Sequence, residues 1–294
     1  MPLLKVYQDA PTLEAPMLAD NVQASLRQLI DERIHVQRLT KVGLTPTRSA
    51  IFVGSPGIGK TLSARWLAAQ MRQPLYVLDL TTVMSSLLGK SGSNLRAALD
   101  FAKAQRAVLL LDEIDAIAKR RGDDSDVGEL KRLVTVMLQE VESWPADGLL
   151  LAATNHPELI DPAMWRRFDL VVNFGMPSPS AVEAAIERFL EQDRLAFSKW
   201  VEVLSFVLRN DSFSDIERSI QALRRRKALG ASAELVMEEF VSARATDHLD
   251  HEERKELAVL LSNETRLSQH TIAQLTGVSR DTIRKRIRAQ TSER

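Results

Sequence analysis

The chain has 294 residues, 45% hydrophobic and 27% charged, a globular balance with length for two or three domains. Its 39 basic and 39 acidic residues cancel, which excludes a global basic field drawing the whole chain onto nucleic acid or a membrane. The absence of cysteine excludes disulfides and thiolate metal sites and fits a reducing compartment.

Residues 1–20 carry Pro2, Pro11 and Pro16 without a sustained period and read as an extended arm. The N-terminus has no apolar core followed by a cleavage site, and no apolar run reaches a transmembrane length. The expectation is therefore a cytoplasmic protein with no membrane partner. Val22, Leu26, Leu29, Ile30, Ile34 and Leu39 recur at helical spacing and predict one helix from Asn21 to about Thr40, capped by Asp20 or Asn21. Arm and helix together make an N-terminal segment, 1–45.

Gly43, Pro46 and Thr47 lead into an apolar run, Ser49–Val53, then Gly54-Ser55-Pro56-Gly57-Ile58-Gly59-Lys60-Thr61, then a helical run, Leu62–Gln70. Strand, Gly-rich turn and helix in this order form a P-loop, G-x-x-x-x-G-K-[ST]. The glycines let backbone N–H groups point inward, and the helix N-terminus adds unpaired donors and a positive dipole end. Pro56, Gly57, Ile58, Gly59, Lys60, Thr61 and Leu62 are thus expected to bind ATP, with Lys60 on the outer phosphates and Thr61 on Mg²⁺. The bland alternative is a Gly-rich turn that binds nothing.

Further apolar runs follow at Pro74–Leu80, Ala107–Leu111, Leu149–Ala153 and Leu170–Phe174, with a helix from Ser93 to about Gln105. The alternation predicts an α/β fold, a parallel sheet with helices on both faces, with polar residues gathered at the C-terminal strand ends. Asp112 and Glu113 end one such run: Asp112 is placed to hold Mg²⁺ through water, Glu113 to orient or deprotonate an attacking water. Asn155 ends the next, where its amide can bond the same water or the γ-phosphate; before His156-Pro157 it also reads as a turn-forming Asn.

After Pro177-Ser178-Pro179 no strand signal remains. Helical stretches cover Ser180–Glu191, Lys199–Leu208, Phe213–Leu229 and Ala233–Ala245. Thr246–Glu253, acidic and containing His248 and His251, reads as a solvated linker rather than a metal site. A last helical unit starts near Arg254.

Together, Leu111-Asp112-Glu113-Ile114-Asp115, Ala152-Ala153-Thr154-Asn155 and Asp161-Pro162-Ala163-Met164-Trp165-Arg166-Arg167-Phe168-Asp169 resemble the AAA family of ATPases, within the AAA+ class, over about residues 45–245. The resemblance implies ATP hydrolysis in a homo-oligomeric ring, usually a hexamer, with ATP between subunits. It implies a large ATPase domain at 46–176 and a helical lid at 177–246. It makes Asn155 the sensor-1 residue, and Arg166 and Arg167 arginine fingers reaching a neighbour's γ-phosphate, a role suited to a planar cation. Many members separate these two arginines; here they are adjacent, so the resemblance leaves open which is the finger. Val83–Arg96 resembles the family's pore loop, with Ser86, Leu87 and Leu88 facing the channel; Leu87 stands where polypeptide-threading members carry an aromatic. No arginine stands at the sensor-2 place near Ser212–Ile216.

Residues 255–294 form a separate expected domain. Gln269–Ile287 resembles a helix-turn-helix: Gly277 permits the turn, Ile272, Val278, Ile283 and Ile287 make its small core, and Ser279 starts the second helix. Arg280, Thr282, Arg284, Lys285 and Arg288 would project outward towards DNA. The competing reading is a helical module that packs on the lid or binds a protein. The expectation is an ATP-driven remodelling machine acting on a protein or protein–DNA assembly, recruited through 269–288. Because H-E-x-x-H is absent, any proteolysis would need a separately encoded partner enzyme. The alternative is an ATP-controlled switch that oligomerises on DNA and threads nothing.

Overall fold

The computed structural model describes residues 4–85, 91–116 and 127–292. It divides into two compact units, Met1–Gly175 and Met176–Arg294.

The first unit is a six-stranded sheet: β1 (Leu4–Tyr7), β2 (Ser49–Val53), β3 (Leu75–Asp79), β4 (Val108–Asp112), β5 (Leu149–Thr154) and β6 (Leu170–Asn173), in the order β1-β3-β4-β5-β2-β6. All pairs are parallel except β1 with β3. The continuous apolar runs serve two faces at once, because successive side chains point to opposite sides of a strand. Ile51, Val53, Leu109, Leu111, Leu150 and Ala152 pack with Leu95, Leu99, Leu133 and Met137 from helices Ser91–Ala104 and Val127–Glu142. Ala50, Phe52, Val108, Leu110, Leu149 and Leu151 pack with Leu26, Leu29, Ala64 and Leu67 from helices Asp20–Ile34 and Lys60–Gln70.

Two expectations for the N-terminal segment need correction. Residues 4–7 are not arm but an edge strand, with Leu4 opposite Leu78. A strand with one buried residue in four gives no alternation to read. The arm that follows is strapped to helix Lys60–Gln70: Arg65 donates twice to the Asp9 carboxylate at 2.8 Å and lies over the Tyr7 ring, and Gln70 donates to Pro11 O. The single helix expected over Asn21–Thr40 is two, Asp20–Ile34 and Val36–Lys41, parted at His35. Just before the break Glu32 accepts the Thr47 N–H, and Arg33 donates to Thr47 O and Gly148 O. Those bonds tie the helix end to the entrances of β2 and β5, a constraint invisible to periodicity.

The second unit is helical: Pro179–Leu190, Val201–Val207, Phe213–Ala228, Ala233–His248, His251–Glu264, Gln269–Thr276 and Arg280–Ser292, with short turns across 191–200. Ser178, Ser212, Ser232 and Ser268 cap four of these by accepting a backbone N–H, which satisfies a donor left open by the first turn. Thr246–Glu253 is not a linker. One helix runs on to His248, and Asp250 opens the next with a capping box to Glu253. Asp250 caps that helix and Glu252 and Glu253 lie in its first turn, where negative charge meets the positive end of the helix dipole. Val203, Leu204, Val236, Leu257, Leu261 and Ile272 are buried together in this unit. Among the described residues no helix is long and apolar enough to cross a membrane.

Candidate nucleotide site

β2 lies between β5 and β6, so its C-terminal end opens at the point where the sheet order reverses. Gly54, Gly57 and Gly59 there have φ of 150°, 77° and 98°. At Gly54 space decides as well as torsion: an added Cβ would stand 2.3 Å from Phe174 O and 2.4 Å from Ile58 Cδ1. At Gly59 the nearest atom would be Leu18 Cδ2 of the arm at 3.9 Å, so the requirement there is the left-handed torsion alone. Pro56 is exposed, the Ile58 side chain is in the core, and Leu62 is exposed in the first turn of helix Lys60–Gln70.

Lys60 begins the helix and is 8% exposed. Its ammonium donates to Gly54 O at 2.6 Å, Ser55 O at 2.9 Å and Asn155 Oδ1 at 2.7 Å. Burial holds its pKa below the ordinary lysine value, with Asp112 and Asp115 pulling the other way. Thr61 Oγ1 donates to Asp112 Oδ2 at 3.3 Å. Burial pushes the Asp112 carboxyl up, opposed by the Glu113 N–H, the Thr61 hydroxyl and the Lys60 charge. Two hard oxygen donors side by side fit Mg²⁺, which takes one or two protein oxygens and completes its shell with water and phosphate.

Glu113 follows β4 with φ of 53° and its side chain exposed. The turn is held by the Glu113 N–H on Asp112 Oδ1, the Ala116 N–H on Glu113 O and the Ile114 N–H on Ala153 O. Asp115 and Thr154 behind it carry no role predicted from the sequence, although both lie inside the runs Leu111–Asp115 and Ala152–Asn155. Asp115 is 2% exposed and accepts the Thr154 hydroxyl at 2.9 Å.

The fold thus brings Lys60, Thr61, Asp112 and Asn155 together, with Glu113 adjoining Asp112. It does not bring Arg166 and Arg167 to them. Both arginines are exposed after helix Pro162–Trp165. Asp169, three residues on from Arg166, accepts the Arg48 and Ser49 N–H groups at 2.7 and 3.1 Å, where β2 begins. The P-loop leaves the other end of that strand, about 13 Å away at a rise of about 3.3 Å per residue. Arg167 pairs with Glu142, whereas Arg166 has no ion pair among the described residues. Ser86, Leu87 and Leu88, expected to face a channel, lie outside the described residues.

In the second unit, Gly277 (φ 67°) ends helix Gln269–Thr276, and Ser279 caps Arg280–Ser292 through the Thr282 N–H. Ile272, Val278 and Ile283 are buried. Arg280, Arg284, Lys285, Arg286 and Arg288 are exposed; Arg284 donates to Gln269 Oε1, and Arg286 stands 3.8 Å from Glu252.

Residues 50–176 match the family described as "ATPase family associated with various cellular activities (AAA)". The chain is 35% identical over 200 residues to an uncharacterised AAA family ATPase of Sinorhizobium fredii, covering 68% of this chain and 60% of the relative. It is 28% identical over 255 residues to the ATP-dependent zinc metalloprotease FtsH of Acidimicrobium ferrooxidans, covering 83% of this chain and 38% of that one. The chain therefore spans less than two thirds of the length of each of these curated relatives. The crystal structure of the FIGL-1 AAA domain shares the fold, with a TM-score of 0.64 at 19% identity over 90% of this chain and 93% of that one.

Proposed function

We propose, for a chain that carries an AAA-family ATPase domain over residues 50–176, that it hydrolyses ATP within a homo-oligomeric ring of hexameric type and uses the cycle to remodel a protein or protein–DNA assembly. Residues 56–62 hold the phosphates, and Thr61 and Asp112 hold Mg²⁺, which when bound neutralises phosphate charge. Glu113 takes the proton of the attacking water, and Asn155 orients that water or the γ-phosphate. The relative named as an ATP-dependent metalloprotease favours a protein as the object of the work.

The observation that carries the ring is the separation of Arg166 and Arg167 from their own P-loop along the length of β2. An arginine there serves a phosphate bound by another copy. Arg166 is the freer of the two, since Arg167 already pairs with Glu142. Arg166→Ala should cut turnover about a thousandfold, the scale of a lost trans arginine. Arg167→Ala should cost less, and ATP affinity should stay unchanged in both. Normal turnover of Arg166→Ala in an assembled ring would remove it from this role.

The exposed basic face of Arg280–Ser292 supports recruitment to DNA. Duplex DNA binding and DNA-stimulated ATP turnover, measured against salt, test this. Arg280→Glu with Lys285→Glu should weaken binding and reduce the slope of log affinity against log salt by about 2, one for each lost phosphate contact. Unchanged duplex affinity would return the C-terminal helices to a protein-contact role. DNA binding that depends on ATP while no protein is remodelled would favour the oligomerising switch.

A further inference from the structure

We propose that Asp115 is a positioning residue for ATP hydrolysis: through Thr154 its buried carboxylate holds the Asn155 amide in register with Lys60. The inference rests on the reading of Asn155 as a group that meets the water or the γ-phosphate.

Asp115 lies in the turn after β4 that also carries Asp112 and Glu113. Its Oδ1 accepts the Thr154 hydroxyl at 2.9 Å and the Asn155 backbone N–H at 3.4 Å. Thr154 Oγ1 in turn accepts the His156 N–H at 3.0 Å, so one hydroxyl bridges the carboxylate and the chain beyond Asn155. The Asn155 side chain is held from its other side by the Lys60 ammonium at 2.7 Å. Backbone and side chain of Asn155 are therefore each fixed by a charged group, one from the β4 turn and one from the P-loop helix.

A carboxylate 2% exposed carries a large desolvation cost, so a wall of apolar residues would hold two strand ends together as well or better. What a carboxylate supplies that an apolar wall does not is direction. It aims the hydroxyl and the N–H at one oxygen, so the end of β5 cannot shift against the Asp112–Glu113 turn without breaking both bonds. A misplacement of about 1 Å at such a group can lower turnover by about a hundredfold while ground-state binding persists. Asp115 acts through Thr154 and Asn155 and not by touching substrate.

The test uses the full chain with Thr154→Val, Thr154→Ser, Asn155→Ala and the Thr154→Val/Asn155→Ala double variant. The readouts are kcat and KM for ATP and the Kd of a fluorescent ATP analogue. Valine keeps the volume of threonine and removes the donor; serine keeps the donor. Thr154→Val should lower kcat by ten- to about a hundredfold with the Kd unchanged, and Thr154→Ser should recover most of it. In the double variant the loss should equal that of Asn155→Ala alone, because Thr154 acts through Asn155. Asp115→Ala, where it folds, should repeat the Thr154→Val result. Multiplying losses in the double variant, or a Thr154→Val enzyme with normal kcat, would overturn the positioning role while leaving Asn155 in place. Normal kcat in Asn155→Ala would remove both, since nothing would then be positioned.

Discussion

Glu113→Gln is expected to leave ATP bound and to stop its hydrolysis. The side chain is exposed beside Asp112, at a left-handed torsion that a non-glycine residue adopts at a cost of about 1–3 kcal/mol. That torsion is fixed by three backbone contacts in the turn, none of which uses the Glu113 carboxylate. Glutamine has the same length and retains an oxygen acceptor, so the water and the nucleotide stay where they were. It cannot accept the proton that water loses as its oxygen bonds to the γ-phosphorus and the bond to ADP breaks. Loss of a general base lowers turnover by about 10²- to 10⁴-fold. The measurement is single-turnover hydrolysis beside analogue binding and particle size. A variant that binds ATP, assembles and does not turn over meets the expectation; one that hydrolyses ATP at the normal rate removes Glu113 from the chemistry.

Lys60→Ala is expected to remove nucleotide binding. The lysine ammonium sits among Gly54 O, Ser55 O and Asn155 Oδ1, at the mouth of the turn formed by Gly57 and Gly59. Burial already lowers its pKa, so the charged form draws added stabilisation from a nearby anion. A charge-assisted hydrogen bond contributes about 1.5–3 kcal/mol, which is about ten- to a hundredfold in affinity before long-range attraction to further phosphate oxygens is counted. Alanine also leaves Asn155 Oδ1 without its donor and frees the amide to turn. ATP should therefore raise the melting temperature of the parent and not that of the variant, since a ligand stabilises only what it binds. An undiminished ATP-induced shift in Lys60→Ala would place the phosphates elsewhere. Arg166→Ala differs in kind, because in the proposed ring its effect requires a second copy and should vanish at dilutions where such a ring would dissociate.

Much of the candidate site could be read before any fold was known. Gly54, Gly57, Gly59, Lys60 and Thr61 lie within eight consecutive residues, between an apolar strand and a helix, and their torsions are a local matter. Asp112 and Asn155 were legible because each ends an apolar run, and apolar runs become buried strands whose ends face the same side of a parallel sheet. The serine caps at 178, 212, 232 and 268 are likewise local, a hydroxyl three residues from the N–H it satisfies.

Other features depend on residues far apart in the chain. β1 is a strand because β3 offers it an edge, and the helix breaks at His35 where Glu32 and Arg33 reach the loop before β2. The placing of β2 between β5 and β6 brings Asn155 to Lys60 and leaves Arg166 at the far end of the same strand. Asp115 and Thr154 meet only because β4 and β5 are neighbours. Periodicity and caps report the preferences of a short segment for itself. Pairing between strands is a contest among all segments for burial and hydrogen-bond partners, and its outcome exists only once the whole sheet has formed.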